Sequence, residues 1–178
     1  FSALCELGEM SNEWGQFKIW KTNRKENRKS LCTKCNGKGE IYGDSCQYCE
    51  EGFTNPLREE YIDVVHFVVS VVIGFDLDPE EFMKKFKRKE VTAGNTYKLI
   101  RVLYKYLVYA DVLIDELQNL PNTEKLVKNN QIERLDVAEK LIDKLLHLGY
   151  SLGFDDEEIE SAYFDKHKVN HIRQQNHY

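Results

Sequence analysis

The sequence predicts an all-α fold, a helical bundle, on three observations. Apolar residues recur at helical spacing through most of the 178 residues. Helix-start and helix-stop residues punctuate those stretches. No stretch alternates convincingly as a strand. At 42% apolar residues the chain can form a full core, and its length fits the usual size of one domain, about 100–200 residues. A single domain over residues 1–178 is therefore expected.

The elements follow in order. Residues 2–20 carry apolar or small residues on one face and Glu6, Glu9 and Glu13 on another, so they read as a helix. The opening Phe1-Ser2-Ala3-Leu4 already resembles the interior of a helix, and the expectation is that an upstream helix is missing. Cys5 is expected to be a small core residue. Residues 21–30 are polar and basic, without apolar periodicity, and read as a loop. Residues 31–55 hold four cysteines and several glycines and cannot form a regular helix.

Pro56 suits the first turn of a new helix. The apolar run over 57–75 is rich in valine, a strand-favouring residue. Its length exceeds an ordinary strand of about 4–8 residues, so it is read as a helix buried on nearly all sides. Such a helix in a small protein often packs against a second subunit. Asp78-Pro79-Glu80-Glu81 is a helix start, with a capping aspartate, a proline at the first position and acids near the positive helix end. Helices are expected over 79–89, 95–119 (ended by Pro121), 131–150, and from Asp155 or Asp156 to about residue 174. Gly74-Phe75-Asp76 is echoed by Gly153-Phe154-Asp155. A common helix-joining pattern explains the echo more simply than a repeated helix pair.

Charge and hydropathy exclude several classes. The net charge of -5 argues against binding nucleic acid by bulk electrostatics. No apolar run approaches the roughly 18 residues of a membrane span, and no signal-peptide pattern opens the chain. A cytoplasmic setting with reduced thiols is expected, with no membrane partner. His66 is expected beside the core and His147 on a packed helix face.

Two motifs carry chemistry. Glu6 and Glu9 lie one helical turn apart on one face, and Glu13 continues the stripe. Glu60 and Asp63 repeat the spacing on another segment. One such pair is ordinarily a solvated helix face. Two pairs, each bordered by apolar sequence, favour a site for a hard divalent cation, since buried unpaired carboxylates are costly. The second motif is Cys32-Thr33-Lys34-Cys35 with Cys46-Gln47-Tyr48-Cys49. Two C-x-x-C pairs across a short loop fit a structural zinc ion held by four thiolates. Two disulfides are disfavoured in a reducing compartment. The run resembles the zinc modules of DnaJ-type chaperones and is read as a knuckle inserted over 31–53. Residues 18–38 hold eight Lys or Arg against Glu26 alone, which is either a phosphate- or partner-facing surface or a solvated loop.

Glu6-Leu7-Gly8-Glu9-Met10-Ser11-Asn12-Glu13, continuing through Phe17-Lys18-Ile19-Trp20, resembles the first metal motif of the dimeric dUTPases. Glu59-Glu60-Tyr61-Ile62-Asp63 resembles the second, and Tyr163, Lys166-His167-Lys168-Val169-Asn170, Arg173-Gln174 and Tyr178 resemble the substrate-binding tail. The resemblance implies a homodimer hydrolysing dUTP, and by extension dUDP, to dUMP with Mg2+ on Glu6, Glu9, Glu60 and Asp63. One of Glu6 and Glu9 would orient the attacking water. Asn12, Lys18, Trp20, Lys166, His167, Asn170 and Arg173 would line the nucleotide. His167 and His177 depart from the family pattern. The resemblance implies a uracil-reading glutamine on an upstream helix, the one expected to be missing. Some phage-encoded members bind a repressor protein, and the knuckle would be a reasonable site for that. The alternatives are a MazG-like pyrophosphatase acting on another nucleotide such as dCTP, and a non-catalytic zinc-knuckle adaptor.

Overall fold

The computed structural model describes residues 1–86, 94–119 and 124–175, with side chains throughout except at 118–119, 124–130 and 174. Pro121, His177 and Tyr178 lie outside the described residues, as does the side chain of Gln174. Six helices and four very short strands are described: α1 (Ser2–Trp14), β1 (Ser30–Leu31), β2 (Glu40–Ile41), β3 (Asp44–Ser45), β4 (Phe53–Thr54), α2 (Pro56–Gly74), α3 (Pro79–Lys85), α4 (Thr96–Asn119), α5 (Glu124–Ser151) and α6 (Asp156–Gln175). The all-α expectation holds for the body of the protein.

Helix α1 is shorter than the expected 2–20. Gly15 takes a left-handed conformation (φ 65°) and its N–H closes on Ser11 O, a turn that glycine adopts without a Cβ clash. Ala3, Leu7, Met10 and Trp14 form the buried stripe of α1. Cys5 falls off that stripe and is exposed, so it is not a core residue.

Asn55 caps α2, its Oδ1 accepting from the Arg58 N–H at 3.2 Å, and Pro56 occupies the first turn. The expectation of burial on nearly all sides is too strong. Leu57, Tyr61, Ile62, Val64, Val65 and Val68 are buried, but Ile73 is 72% exposed. The far end of α2 thus leaves the core. There Phe75 is fully buried, and its carbonyl accepts from the guanidinium of Arg134, itself buried in α5.

Asp78 caps α3 by accepting from the Glu80 and Glu81 N–H groups at 2.8 and 2.9 Å. The helix stops at Lys85, short of 89, because Phe86 turns extended (ψ 105°). Asp155 caps α6 reciprocally with Glu158, a capping box. The two Gly-Phe-Asp stretches share a buried phenylalanine, but the left-handed residue is Asp76 in one and Gly153 in the other. They are not the same turn.

The main core gathers α1, α2, α4, α5 and α6 around Met10, Leu57, Tyr61, Val64, Leu103, Leu141 and Leu148. A second, separate core is made of Cys32, Cys35 and Cys46, with Ile41 and Cys49 against it. It belongs to the knuckle. β1 pairs antiparallel with β4 (Ser30 with Thr54, Leu31 with Phe53), and β2 pairs with β3. These two-residue strands correct the expectation of no strand. Gly52 (φ 91°) permits the close crossing of the two knuckle halves, since a Cβ there would meet the Gly37 carbonyl carbon at 2.6 Å.

The loop between α1 and the knuckle is tied down at Asn27. Its side-chain amide donates to Glu13 Oε2 at 2.6 Å, its N–H donates to Glu13 O at 2.9 Å, and its carbonyl accepts from the Leu57 N–H at 3.0 Å. One residue joins the ends of α1 and α2. Arg28 reaches the α5–α6 corner, donating to the Leu152 carbonyl and lying over the Phe154 ring at 5.4 Å.

Candidate active site

Helices α1 and α2 pack side by side within the main core. That packing brings together acids separated by about half a hundred residues. Carboxylate oxygens of Glu6, Glu9 and Glu60 all lie within 4.8 Å of one another. Glu6 and Glu60 are half-buried and Glu9 is exposed, so the cluster sits at the mouth of the α1–α2 seam rather than within the core.

The electrostatics are those of crowded acids. Burial pushes the Glu60 carboxyl up to about 7, and Asp63, Glu9 and Glu6 push in the same direction, while Lys166 opposes. Glu6 is raised for the same reasons, burial first and then Asp63 and Glu9. An arrangement of all-oxygen donors that repel one another suits a hard divalent cation such as Mg2+. The residues fit that ion.

The expected fourth acid is placed differently. Asp63, one turn beyond Glu60 on α2, accepts from Lys166 Nζ at 2.8 Å. Its charge reaches Glu6 and Glu60, but its oxygen is engaged by the ammonium. Glu13 does not extend the acidic stripe toward the site. It holds Asn27 instead.

The tail residues share one face of α6, since positions 163, 166, 167, 170 and 173 follow helical spacing. The first of these meet α2. The Tyr163 ring stacks on His66 at 4.3 Å between centroids, and the His167 ring lies nearly parallel beside the pair, 6.1 Å from each. Burial lowers the His66 pKa, and among the described residues the buried His66 Nε2 has no hydrogen-bond partner. Asn170 is half-buried and Arg173 exposed, further along the same helix. His147 does lie on a packed face, 3.7 Å from Asp143.

Asn12, Lys18 and Trp20 lie at and just after the end of α1. Asn12 is exposed, and its carbonyl accepts from Lys18 Nζ at 3.0 Å. Trp20 is 71% exposed, and among the described residues its one ring contact is an edge-on meeting with Phe17 at 6.1 Å between centroids. The structure does not bring these three to the carboxylates through any described contact.

The knuckle cysteines also converge. The four Sγ atoms lie within 4.8 Å of one another, with Cys32–Cys46 at 4.0 Å and Cys35–Cys49 at 3.6 Å. Four thiolates about 2.3 Å from a central zinc would be about 3.8 Å apart, so the sulfurs fit that ion. A disulfide would require about 2 Å. The Gly39 N–H donates to Cys35 Sγ at 3.3 Å, the kind of bond that steadies a ligating sulfur.

A family model described as dUTPase matches residues 50–178. The chain belongs to the dUTPase family. The match takes in Glu60, Asp63 and all of α6, and begins after Glu6, Glu9 and nearly all of the knuckle. The packing of α1 on α2 is what joins the unmatched acids to the matched ones. As a dUTPase the protein hydrolyses dUTP. No curated protein and no solved structure matches the chain. No described helix of this dUTPase is long and apolar enough to cross a membrane.

What sequence reasoning missed are the partners: the Asp63–Lys166 ion pair, the Glu13–Asn27 latch, and the His66–Tyr163 stack. The pairing residues are 103, 14 and 97 positions apart, and no local spacing signals them.

Proposed function

We propose that this dUTPase cleaves dUTP to dUMP and pyrophosphate, with dUDP as a second substrate, using Mg2+ held by Glu6, Glu9 and Glu60, with Asp63 alongside. The observation that carries the reading is the meeting of Glu6 and Glu9 from α1 with Glu60 from α2 inside 4.8 Å. When bound, the metal neutralises charge on the phosphate oxygens and lowers the pKa of a coordinated water. The chain's own residues do the rest. Glu9, the exposed member of the trio, orients the attacking water. Lys166 and Arg173 take the charge that builds on the leaving pyrophosphate. Asn170 and the exposed His167 border the nucleotide along α6, and the family resemblance adds Lys18 and Trp20 from the segment after α1, although no described contact brings them to the carboxylates.

The knuckle holds a structural Zn2+ on Cys32, Cys35, Cys46 and Cys49. All four donors are thiols, which leaves no open position for a catalytic water. The enzyme acts as a homodimer. Supporting this, Tyr97, Tyr104, Val108 and Val112 line one face of α4 and are 40–53% exposed, an apolar stripe suited to a second copy.

The test is pyrophosphate release from dUTP, dCTP, dTTP and dUDP with and without Mg2+. Expected are Mg2+-dependent turnover of dUTP and a loss of about a hundredfold or more in Glu9→Gln and Glu60→Gln, with helicity retained. Wild-type turnover in either variant sinks the reading.

A further inference from the structure

Lys166 is the cation of the carboxylate cluster. It stands on α6, while the acids stand on α1 and α2. Its Nζ is 2.8 Å from Asp63 Oδ2, with the two side chains 30% and 21% exposed. Its charge reaches Glu6 and Glu60 and opposes their mutual repulsion. The neighbouring contact between the same helices, Tyr163 stacked on His66, lies three residues before Lys166 and three after Asp63. Two adjacent contacts therefore fix the position of α6 along α2 and place this ammonium beside the acids. An ion pair so partly enclosed is screened less than a surface pair.

A lysine in that place does two incompatible things. It compensates the acids, and it occupies the Asp63 oxygen that would otherwise face an arriving cation. Resting on the magnesium reading above, we propose that Lys166 is a resident counter-ion that competes with the divalent metal for the acidic cluster until a triphosphate offers the ammonium another anion. In the nucleotide-free enzyme, then, Glu6, Glu9 and Glu60 meet the metal while Asp63 stays with Lys166. With the triphosphate present, Lys166 turns to a phosphate oxygen and Asp63 becomes free. Metal and nucleotide are coupled through one side chain, in addition to any direct bond between them. Lys166 is thus a positioning residue for the metal as well as a phosphate contact.

The two roles separate in the absence of nucleotide. A lysine whose charge does not act on the acids leaves metal affinity of the free enzyme unchanged when removed. A lysine that only braces α6 weakens it. A competing counter-ion strengthens it. The experiment is titration of the full-length, zinc-loaded protein with Mn2+ in place of Mg2+, followed by electron paramagnetic resonance, without nucleotide. Lys166→Met is expected to bind Mn2+ about fivefold more tightly than wild type, the low end of ordinary coupling between sites. Lys166→Gln, which keeps a polar group for Asp63, is expected to shift the same way. Equal or weaker Mn2+ binding in both variants overturns the proposal. Failure of wild type to bind Mn2+, or binding unaffected by Glu9→Gln and Glu60→Gln, instead overturns the metal reading on which it rests.

Discussion

The Tyr61 hydroxyl donates to the Leu145 carbonyl at 3.0 Å, across the spot where Gly149 leaves α5 without a side chain. Tyr61 is fully buried, and a Cβ at position 149 would come within 2.8 Å of its Cζ and 2.9 Å of Ile159 Cδ1. The glycine is what lets α5 lie against the carboxylate helix α2. Gly149→Ala would gain about 1 kcal/mol of helix propensity but incur an overpacking cost of about 1–3 kcal/mol. Ring and isoleucine are both boxed in, so the cost wins. A net loss of up to about 2 kcal/mol lowers Tm by up to several degrees, measurable by thermal unfolding; a Tm above wild type contradicts the packing argument.

Glu13 offers a sharper test of the site, because it sits on the same sequence stripe as Glu6 and Glu9 yet bonds to Asn27. Glu13→Gln keeps an acceptor for the Asn27 amide. Turnover is expected to stay within about twofold of wild type, against the much larger loss for Glu9→Gln. Asn27→Ala removes the side-chain bond to a charged acceptor and should cost about 1.5–3 kcal/mol of stability. Turnover parity between the Glu13 and Glu9 variants, read by initial rates, would undo the assignment of roles.

Much of the architecture was legible because helices announce themselves locally. Asp78-Pro79 and Pro56 are start signals whose physics lies within four residues, and a helix opens at each. The Glu6–Glu9 and Glu60–Asp63 spacings likewise depend only on helical geometry. Errors arose where the decisive contact is distant. Cys5 looked apolar enough for the core, but the buried stripe of Ala3, Leu7, Met10 and Trp14 passes it by. The stripe alone could not say that Glu13 turns to Asn27, nor that Asp63 turns to Lys166. The valine run of α2 fixed its apolarity but not that Ile73 would end exposed. Strands of two residues lie below any detectable alternation.

Glu60 predicts a pH dependence. Its carboxyl is raised from an ordinary 4.5 to about 7, by burial first and by Asp63, Glu9 and Glu6 after it. Between those values the folded protein holds a proton that the unfolded chain has released. The stability this contributes is fully present below pH 4.5 and is lost as pH rises through 7. In magnesium-free buffer, Tm should therefore fall from about pH 5.5 to about pH 8. Glu60→Gln cannot ionise and should show a shallower fall. Saturating Mg2+ should flatten the wild-type profile, since a cation favours the ionised acid. Parallel profiles for wild type and variant, by differential scanning calorimetry, would show that Glu60 is not the group responsible.

The knuckle makes the last prediction, because its two ends meet. Ser30 pairs directly with Thr54, so the chain enters and leaves on one rung, about 5 Å apart. A two-residue Asn-Gly turn closes such a gap in ordinary hairpins. Replacing residues 31–53 by Asn-Gly leaves the Asn27 bonds to Glu13 and Leu57 and the Asn55 cap of α2 in place. Among the described contacts, those lost outside the knuckle are partly exposed: the Arg58–Glu50 pair at 3.1 Å and the Lys29 ammonium over Phe53 at 3.9 Å, each worth about 1 kcal/mol or less. The shortened protein is expected to lose one zinc per chain by elemental analysis and keep dUTP turnover within about twofold, as excision at a closed surface loop should. Retained zinc would place the ion elsewhere than on the four cysteines. Lost turnover in a folded protein would mean that the knuckle reaches into catalysis rather than standing apart from the α1–α2 seam.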